Sequence, residues 1–208
     1  MNGRMQAETP HRRVLDVAAL PEYAFGHNGL IWWGTVGFMV IEGSVFVMAL
    51  VAYFFLRTRV AEWPPSLPNP DITLGTVNTV ILLASIIPNQ MTKKAAEQLD
   101  VRKVRILLPI CLAFGVAFVA VRVFEFGSLN CSWDDNAYAS IVWFIMGVHS
   151  LHLVTDVVDS FVLTGLIFTA HADPTRMVDV SENALYWDFV VLSWIPIYLT
   201  IYFAPRLL

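Results

Sequence analysis

The chain has 208 residues, 57% of them hydrophobic and 14% charged, and its mean hydropathy is +0.62. A soluble domain carries about 25% charged and about 45–50% apolar residues and keeps much of its surface wet, so a soluble enzyme is excluded and an all-α polytopic membrane bundle is expected. The net charge of −4 and the lack of any long basic stretch interleaved with aromatics leave no case for nucleic-acid binding.

Residues 1–29 form a polar arm containing Arg4, Arg12, Arg13, Pro21 and His27. A signal peptide would begin its apolar region sooner and end at a small-residue cleavage site, so the arm is expected to be retained outside the membrane. Residues 30–208 then read as one membrane domain of five unlike spans without an internal repeat. The first is Ile31–Leu56, whose single ionisable residue is Glu42. The linker Arg57–Asp71 carries Pro64, Pro65, Pro68 and Pro70 and cannot be regular helix. The second span, Ile72–Ile87, is read as closed by Pro88. A basic loop follows, then the third span, Ile106–Phe126, which contains Arg122 and Glu125. After the acidic pair Asp134 and Asp135, the fourth span runs Ala137–Thr169, longer than the roughly 20 residues a bilayer requires. It must tilt or protrude. The fifth span is Ala184–Phe203, with Pro196 inside it. Cys111 lies early in the third span and Cys131 beyond its far end, roughly 30 Å away along a helix; both are expected to be free thiols.

Ionisable groups at membrane depth are costly and call for a partner or a function. Glu42 is expected as a neutral carboxyl hydrogen-bonded within the bundle, with a lipid-headgroup or proton-linked role as the alternative. Arg122 and Glu125, three apart near the outer end of the third span, can form a helical ion pair, and such an arginine can snorkel. The fourth span holds His149, His152, Asp156 and Asp159 within an arc of about 80° at 100° per residue. That stripe is expected to face protein as a hydrogen-bonded surface or a docking face, with metal binding as the minor alternative. A bis-histidine haem site would draw its ligands from two helices. Here His149 and His152 share one, while His11, His27 and His171 lie outside the spans. A di-iron carboxylate site would need four converging helices.

These residues resemble subunit III of the haem–copper respiratory oxidases, in its five-helix bacterial form. The segment Gly147–Leu153 is similar to the family's histidine motif and retains Gly147, His149, Leu151 and His152. Ala184–Phe203 resembles the closing helix, with Tyr186, Trp187, Phe189, Val190, Trp194, Tyr198 and Tyr202 in register. Ile41–Phe46 resembles the first core helix with its buried glutamate at Glu42. Val77–Ser85 resembles the asparagine–threonine helix, Val123–Phe126 the glutamate–aromatic step at Glu125, and Leu20–Gly34 the leading segment. The chain departs from the family pattern in three places. Asp188 and Val191 stand where a histidine and an aspartate are usual, and Asp156 stands where a small residue is usual.

The resemblance implies a subunit with no catalytic residue and no cofactor of its own, haem and copper being held by partner subunits. It implies packing against oxidase subunit I, phospholipid in a cleft between helices, and support of sustained proton uptake. Glu42, Glu125, His149 and His152 become buried structural or lipid-contacting positions, with Asp156 and Asp159 able to rebuild the hydrogen bonding that the departures remove. The complex would reduce oxygen to water and pump protons. Its donor, cytochrome c or quinol, would be read by other subunits, and a nitric oxide reductase is the alternative complex. A small membrane carrier is the rival from another class, disfavoured by the lack of repeats.

Lysine and arginine mark the cytoplasmic side of membrane proteins. Arg4, Arg12, Arg13, Lys93, Lys94, Arg102, Lys103, Arg105 and Arg176 fall on one side, against Arg57, Arg59 and Arg206 on the other. Reporter fusions are expected to place Met1 and the Lys93–Arg105 loop in the cytoplasm and Leu208 outside. An even number of spans, or a periplasmic Lys93 loop, would overturn that topology.

Overall fold

A computed structural model of the chain describes residues 23–65, 67–169 and 173–207. Most of the arm, including Arg4, His11, Arg12, Arg13 and Pro21, falls outside the described residues, as do His171 and Leu208. Among the described residues every regular element is helical. After a short turn at Gly26–Asn28 come α1 (Leu30–Arg57), α2 (Ile72–Glu97), α3 (Val101–Gly127), α4 (Ala137–Phe168) and α5 (Pro174–Tyr198). The last helix continues through a π-helical turn, Leu199–Phe203, and a final turn, Ala204–Leu207. All five long helices are apolar and long enough to cross a membrane.

The helix starts follow from local chemistry. Asp71, Asp100, Asn136 and Asp173 each accept a hydrogen bond from a backbone N–H of the first turn of α2, α3, α4 and α5. Such caps satisfy donors that the helix leaves free. The Asp71 carboxyl is held below its ordinary range by the Thr73 amide, and that of Asp173 by the Thr175 hydroxyl and the Arg176 amide. Pro174 follows its cap at a first-turn position where a missing N–H costs nothing.

Two span boundaries differ from the sequence-based expectation. Helix α2 does not stop at Pro88 but runs on to Glu97. Proline removes one backbone donor, yet the turns beyond it are held by tertiary bonds. Asn89 Nδ2 donates to the Ala184 carbonyl (2.8 Å), and Thr92 Oγ1 lies 3.4 Å from Cys111 Sγ on α3. Helix α5 begins ten residues before Ala184, because a hydropathy reading stops at Asp179 and Glu182 while the helix starts at the Asp173–Pro174 cap.

Helix α5 sits at the centre, packed on α2 and α4, with α3 bridging α2 and α4 on the other side. A ladder of polar contacts joins α2 to α5. Trp187 Nε1 donates to Ser85 Oγ and Trp194 Nε1 to Thr79 Oγ1, both at 2.8 Å, and the Thr76 and Tyr198 hydroxyls lie 2.7 Å apart. Numbers rise on α2 as they fall on α5, so the two are antiparallel and in one register. Small residues let backbones approach in such bundles. Gly75 is the sharpest case, since a Cβ there would lie 2.5 Å from the buried Tyr202 ring.

Helix α1 packs on α4 and α5 from outside. Its buried residues, Phe46, Ala49 and Tyr53, all lie in its second half. Its first half carries no buried residue and splays from the bundle, leaving a cleft of about 640 Å³ between α1, α4 and α5. Beyond α1, the linker returns Trp63 to the bundle, where its Nε1 donates to the Tyr53 hydroxyl (2.8 Å).

Gly75→Ala is expected to force α2 away from Tyr202 and lower stability by about 1–3 kcal/mol, the usual cost of overpacking. Thermal unfolding in mild detergent checks this, with Gly127→Ala, where a Cβ meets open space, as the comparison.

Candidate functional site

The predicted polar residues form two separate centres. The first lies inside the bundle. Arg122 Nη1 and Glu125 Oε2 are 3.2 Å apart, at side-chain exposures of 3% and 0%. The pair is therefore present, but the arginine does not snorkel to water. Its guanidinium lies 4.0 Å from the Trp194 ring centroid and 4.6 Å from that of Phe118, a cation–π enclosure. Glu125 also accepts from Asn78 Nδ2 and from the Tyr202 hydroxyl, each at 2.5 Å. Although it lies near the C-terminal end of α3, it is fully enclosed, with Tyr202 of the π-helical turn bonded to it.

His149 belongs to this first centre. It is fully buried, with Nε2 3.1 Å from the Val190 carbonyl and Nδ1 3.5 Å from Arg122 Nη2. A carbonyl only accepts and a guanidinium only donates. The ring is thus a neutral imidazole with its proton on Nε2.

The second centre closes the deep end of the cleft. His152 Nε2 lies 3.1 Å from Glu42 Oε1, and the Tyr186 hydroxyl donates to Glu42 Oε2 at 2.7 Å. His152 Nδ1 is 2.6 Å from the Val148 carbonyl and must donate to it. A hydrogen bond between Nε2 and Glu42 Oε1 then needs one proton on one of the two groups. Placed on nitrogen it gives an ion pair, and placed on oxygen two neutral groups, with the same heavy-atom geometry.

The α4 stripe therefore serves three environments rather than one. His149 faces Arg122 and α5, His152 faces α1, and Asp156 and Asp159 both accept from Asn183 Nδ2 at 3.1 Å. Asp156 is buried, whereas Asp159 is exposed on the cleft wall. The unusual Asp188 is served by Asn89 (2.9 Å) and by Gln90, both on α2. Asp156 and Asp159 bond Asn183 on α5 instead. Cys111 and Cys131 are both free. Among the described residues no three histidine, cysteine, aspartate or glutamate side chains group so as to hold a metal ion.

Several members of these centres had no assigned role in the sequence reading: Asn78 and Tyr202 around Glu125, Tyr186 on Glu42, and Asn183 on the aspartates. Asp179, Glu182, Asn183 and Tyr186 line the cleft at helical spacing. That spacing is visible in the sequence once the helix is started at Pro174 rather than Ala184.

The sequence pattern of the family described as cytochrome c oxidase subunit III matches residues 22–205, nearly the whole chain. The chain belongs to that family. Cytochrome c oxidase subunit 3 of Synechocystis sp. is 27% identical over 190 residues, covering 88% of this chain and 80% of its own length. That of Thermostichus vulcanus is 26% identical over 189 residues, covering 89% and 92%. A probable cytochrome c oxidase subunit 3 of Nocardia farcinica is 29% identical over 185 residues, covering 87% and 91%. Membership makes this multi-pass chain a subunit of a haem–copper oxidase, a protein that associates with other oxidase subunits.

In this member of the subunit III family the Arg122–Glu125 pair is a structural lock. Breaking a buried pair from one side costs about 3–5 kcal/mol, because the remaining charge is stranded. Arg122→Met is expected to cost that much, and adding Glu125→Gln to cost less than the sum of the two single changes. A double-mutant cycle on thermal unfolding checks the coupling.

Proposed function

We propose that the chain is the non-catalytic subunit III of a proton-pumping haem–copper terminal oxidase in aerobic electron transport. In this reading residues 30–208 form its membrane domain in the bacterial inner membrane. Residues 1–29 are a cytoplasmic arm, and the C-terminus lies outside. The subunit stabilises the catalytic subunit I, holds phospholipid in the cleft and supports proton uptake, with haem and copper in partner subunits. The observation that carries this is the cleft that opens along α1 and ends on Glu42, His152 and Tyr186. Apolar walls suit acyl chains, and a hydrogen-bonded carboxylate–histidine pair suits a place beside proton traffic without demanding chemistry of its own.

Glu42 tests the reading. Ionised alone at mid-membrane it would cost about 2.5–3.5 kcal/mol on insertion scales, and its two partners offset that. Glu42→Gln keeps size and hydrogen bonding, while Glu42→Ala strands His152 and Tyr186 at about 1–3 kcal/mol. Alanine is expected to weaken lipid retention or assembly more than glutamine does. Haem and copper per catalytic subunit should stay normal, and early turnover should be near wild type in both. Any defect should appear as faster loss of activity during sustained turnover. If Glu42→Gln abolishes the first turnovers of a fully assembled complex, the carboxylate belongs to the chemistry and the accessory reading is wrong.

A further inference from the structure

Charge does not balance in the cleft between α1, α4 and α5. Glu42, Asp156, Asp159, Asp179 and Glu182 line it, against Arg176 and His152. Glu42 is held by His152 and Tyr186, and Asp179 pairs with Arg176 at 2.9 Å. Glu182 meets the Thr35 hydroxyl and lies within electrostatic reach of Lys93. Asp156 and Asp159 differ from these, because neither makes an ion pair among the described residues. The charges that act on them are themselves negative, Asp159 on Asp156 and Asp179 on Asp159.

The two aspartates are close to each other. They stand three apart on α4, where side chains are neighbours, and an oxygen of each lies 3.1 Å from the same Asn183 Nδ2. That amide is fixed from behind by Ser160 Oγ, which donates to Asn183 Oδ1 at 3.1 Å. One neutral amide thus serves two carboxylates. Asp156 Oδ2, on a side chain only 3% exposed, is left buried with no hydrogen-bond partner, while Asp159 is exposed to the cleft. Both lie inside a helix long and apolar enough to cross a membrane.

Ionisable groups at such depth face the interior of an assembly and pair with one another. The complement of this pair is a positive group with more than one N–H, able to meet Asp159 and the free oxygen of Asp156 together. A divalent metal ion needs a compact oxygen shell, and no three acidic, histidine or cysteine side chains among the described residues group to hold one. A basic side chain brings its charge into the membrane on its own helix, and the surface beside the pair suits a helix. Leu151, Val158, Phe161 and Val162 form an apolar strip on α4 that is at least half exposed. Membership of the subunit III family supplies neighbours to cover it, since such a chain associates with other oxidase subunits.

We propose that Asp156 and Asp159 together receive a basic side chain, arginine or lysine, from a transmembrane helix of a neighbouring oxidase subunit packed against α4. The proposal rests on the reading of the chain as an oxidase subunit. It adds a point of attachment particular to this chain, in which Asp156 stands where a small residue is usual.

The test uses the assembled complex in its native membrane, with photoreactive benzoylphenylalanine at Val162 or, in a separate preparation, at Leu166, both on the cleft wall. Val123, exposed on α3 and outside the cleft, is the reference position. After irradiation the crosslinked peptides are sequenced by mass spectrometry. The cleft positions should capture a membrane-spanning segment of another oxidase subunit, with an arginine or lysine within one helical turn of the crosslinked residue. D156N/D159N keeps acceptors for Asn183 but removes both charges, and should lower the yield of that crosslink about tenfold. The yield from Val123 should not change. Neutralising the partner's basic residue should lower the cleft yield equally, and combining the two changes should add little. Crosslinks to lipid alone, or to a segment without a basic residue, would overturn the pairing while leaving the lipid cleft standing. An unchanged yield in D156N/D159N would overturn it as well. If that variant fails to assemble, the segment captured beside the unaltered aspartates decides the matter. Haem in the same preparation reports separately on the oxidase reading.

Discussion

In hydrocarbon a polar group that finds no partner within the protein finds none at all, and the pairing of α2 with α5 follows from that constraint. Ser, Thr and Asn side chains on α2 meet tryptophan, tyrosine and backbone groups on α5 at intervals along the contact. Each bond is worth little by itself in a membrane, about 0.6 kcal/mol on average. Their value lies in register, because a slide of one helix past the other would strand several groups at once. With α5 fixed in this way, Trp194 covers Arg122, Tyr202 reaches Glu125, and the Val190 carbonyl meets His149.

The two histidines of α4, three residues apart, show how far neighbours on one helix can diverge. His149 is locked in a single protonation state by a carbonyl on one side and a guanidinium on the other. His152 lies between the Val148 carbonyl and the Glu42 carboxylate. The first is part of the buried interior; the second lines the cleft. Their chemistry is set by the helix each meets, α5 or α1, and not by the motif that carries both.

Five spans, the exceptional residues within them and the family were all legible in the sequence. Long apolar runs and isolated charges at membrane depth are strong signals, and Glu42, Arg122, Glu125, His149 and His152 stood out for that reason. What could not be read was partnership. Nothing local joins Asn78 to Glu125 across 47 positions, or Tyr186 to Glu42 across 144. Boundaries failed where hydropathy and helicity part company. Pro88 ends an apolar run but not a helix, and the charged first turns of α5 are helical although they resemble a loop. That second error hid the face on which Asp179, Glu182, Asn183 and Tyr186 line up, and with it half of the cleft.

The one-sided anchoring of α1 has a mechanical meaning. Before Phe46 the helix meets the bundle at few points, the Phe38–Tyr186 stack and the bonds of Glu42 to His152 and Tyr186, and Ile31 lies about 33 Å from Tyr53 at 1.5 Å per residue. Tilting the rod by about 5° about Tyr53 swings its tip by about 3 Å. Such a swing is comparable to the width of a hydrocarbon chain. Widening the cleft by such a tilt would first have to part Glu42 from His152 and Tyr186 and Phe38 from the Tyr186 ring. The far end of the rod is fixed by the mutual ring contacts of Tyr53, Trp63 and Tyr138.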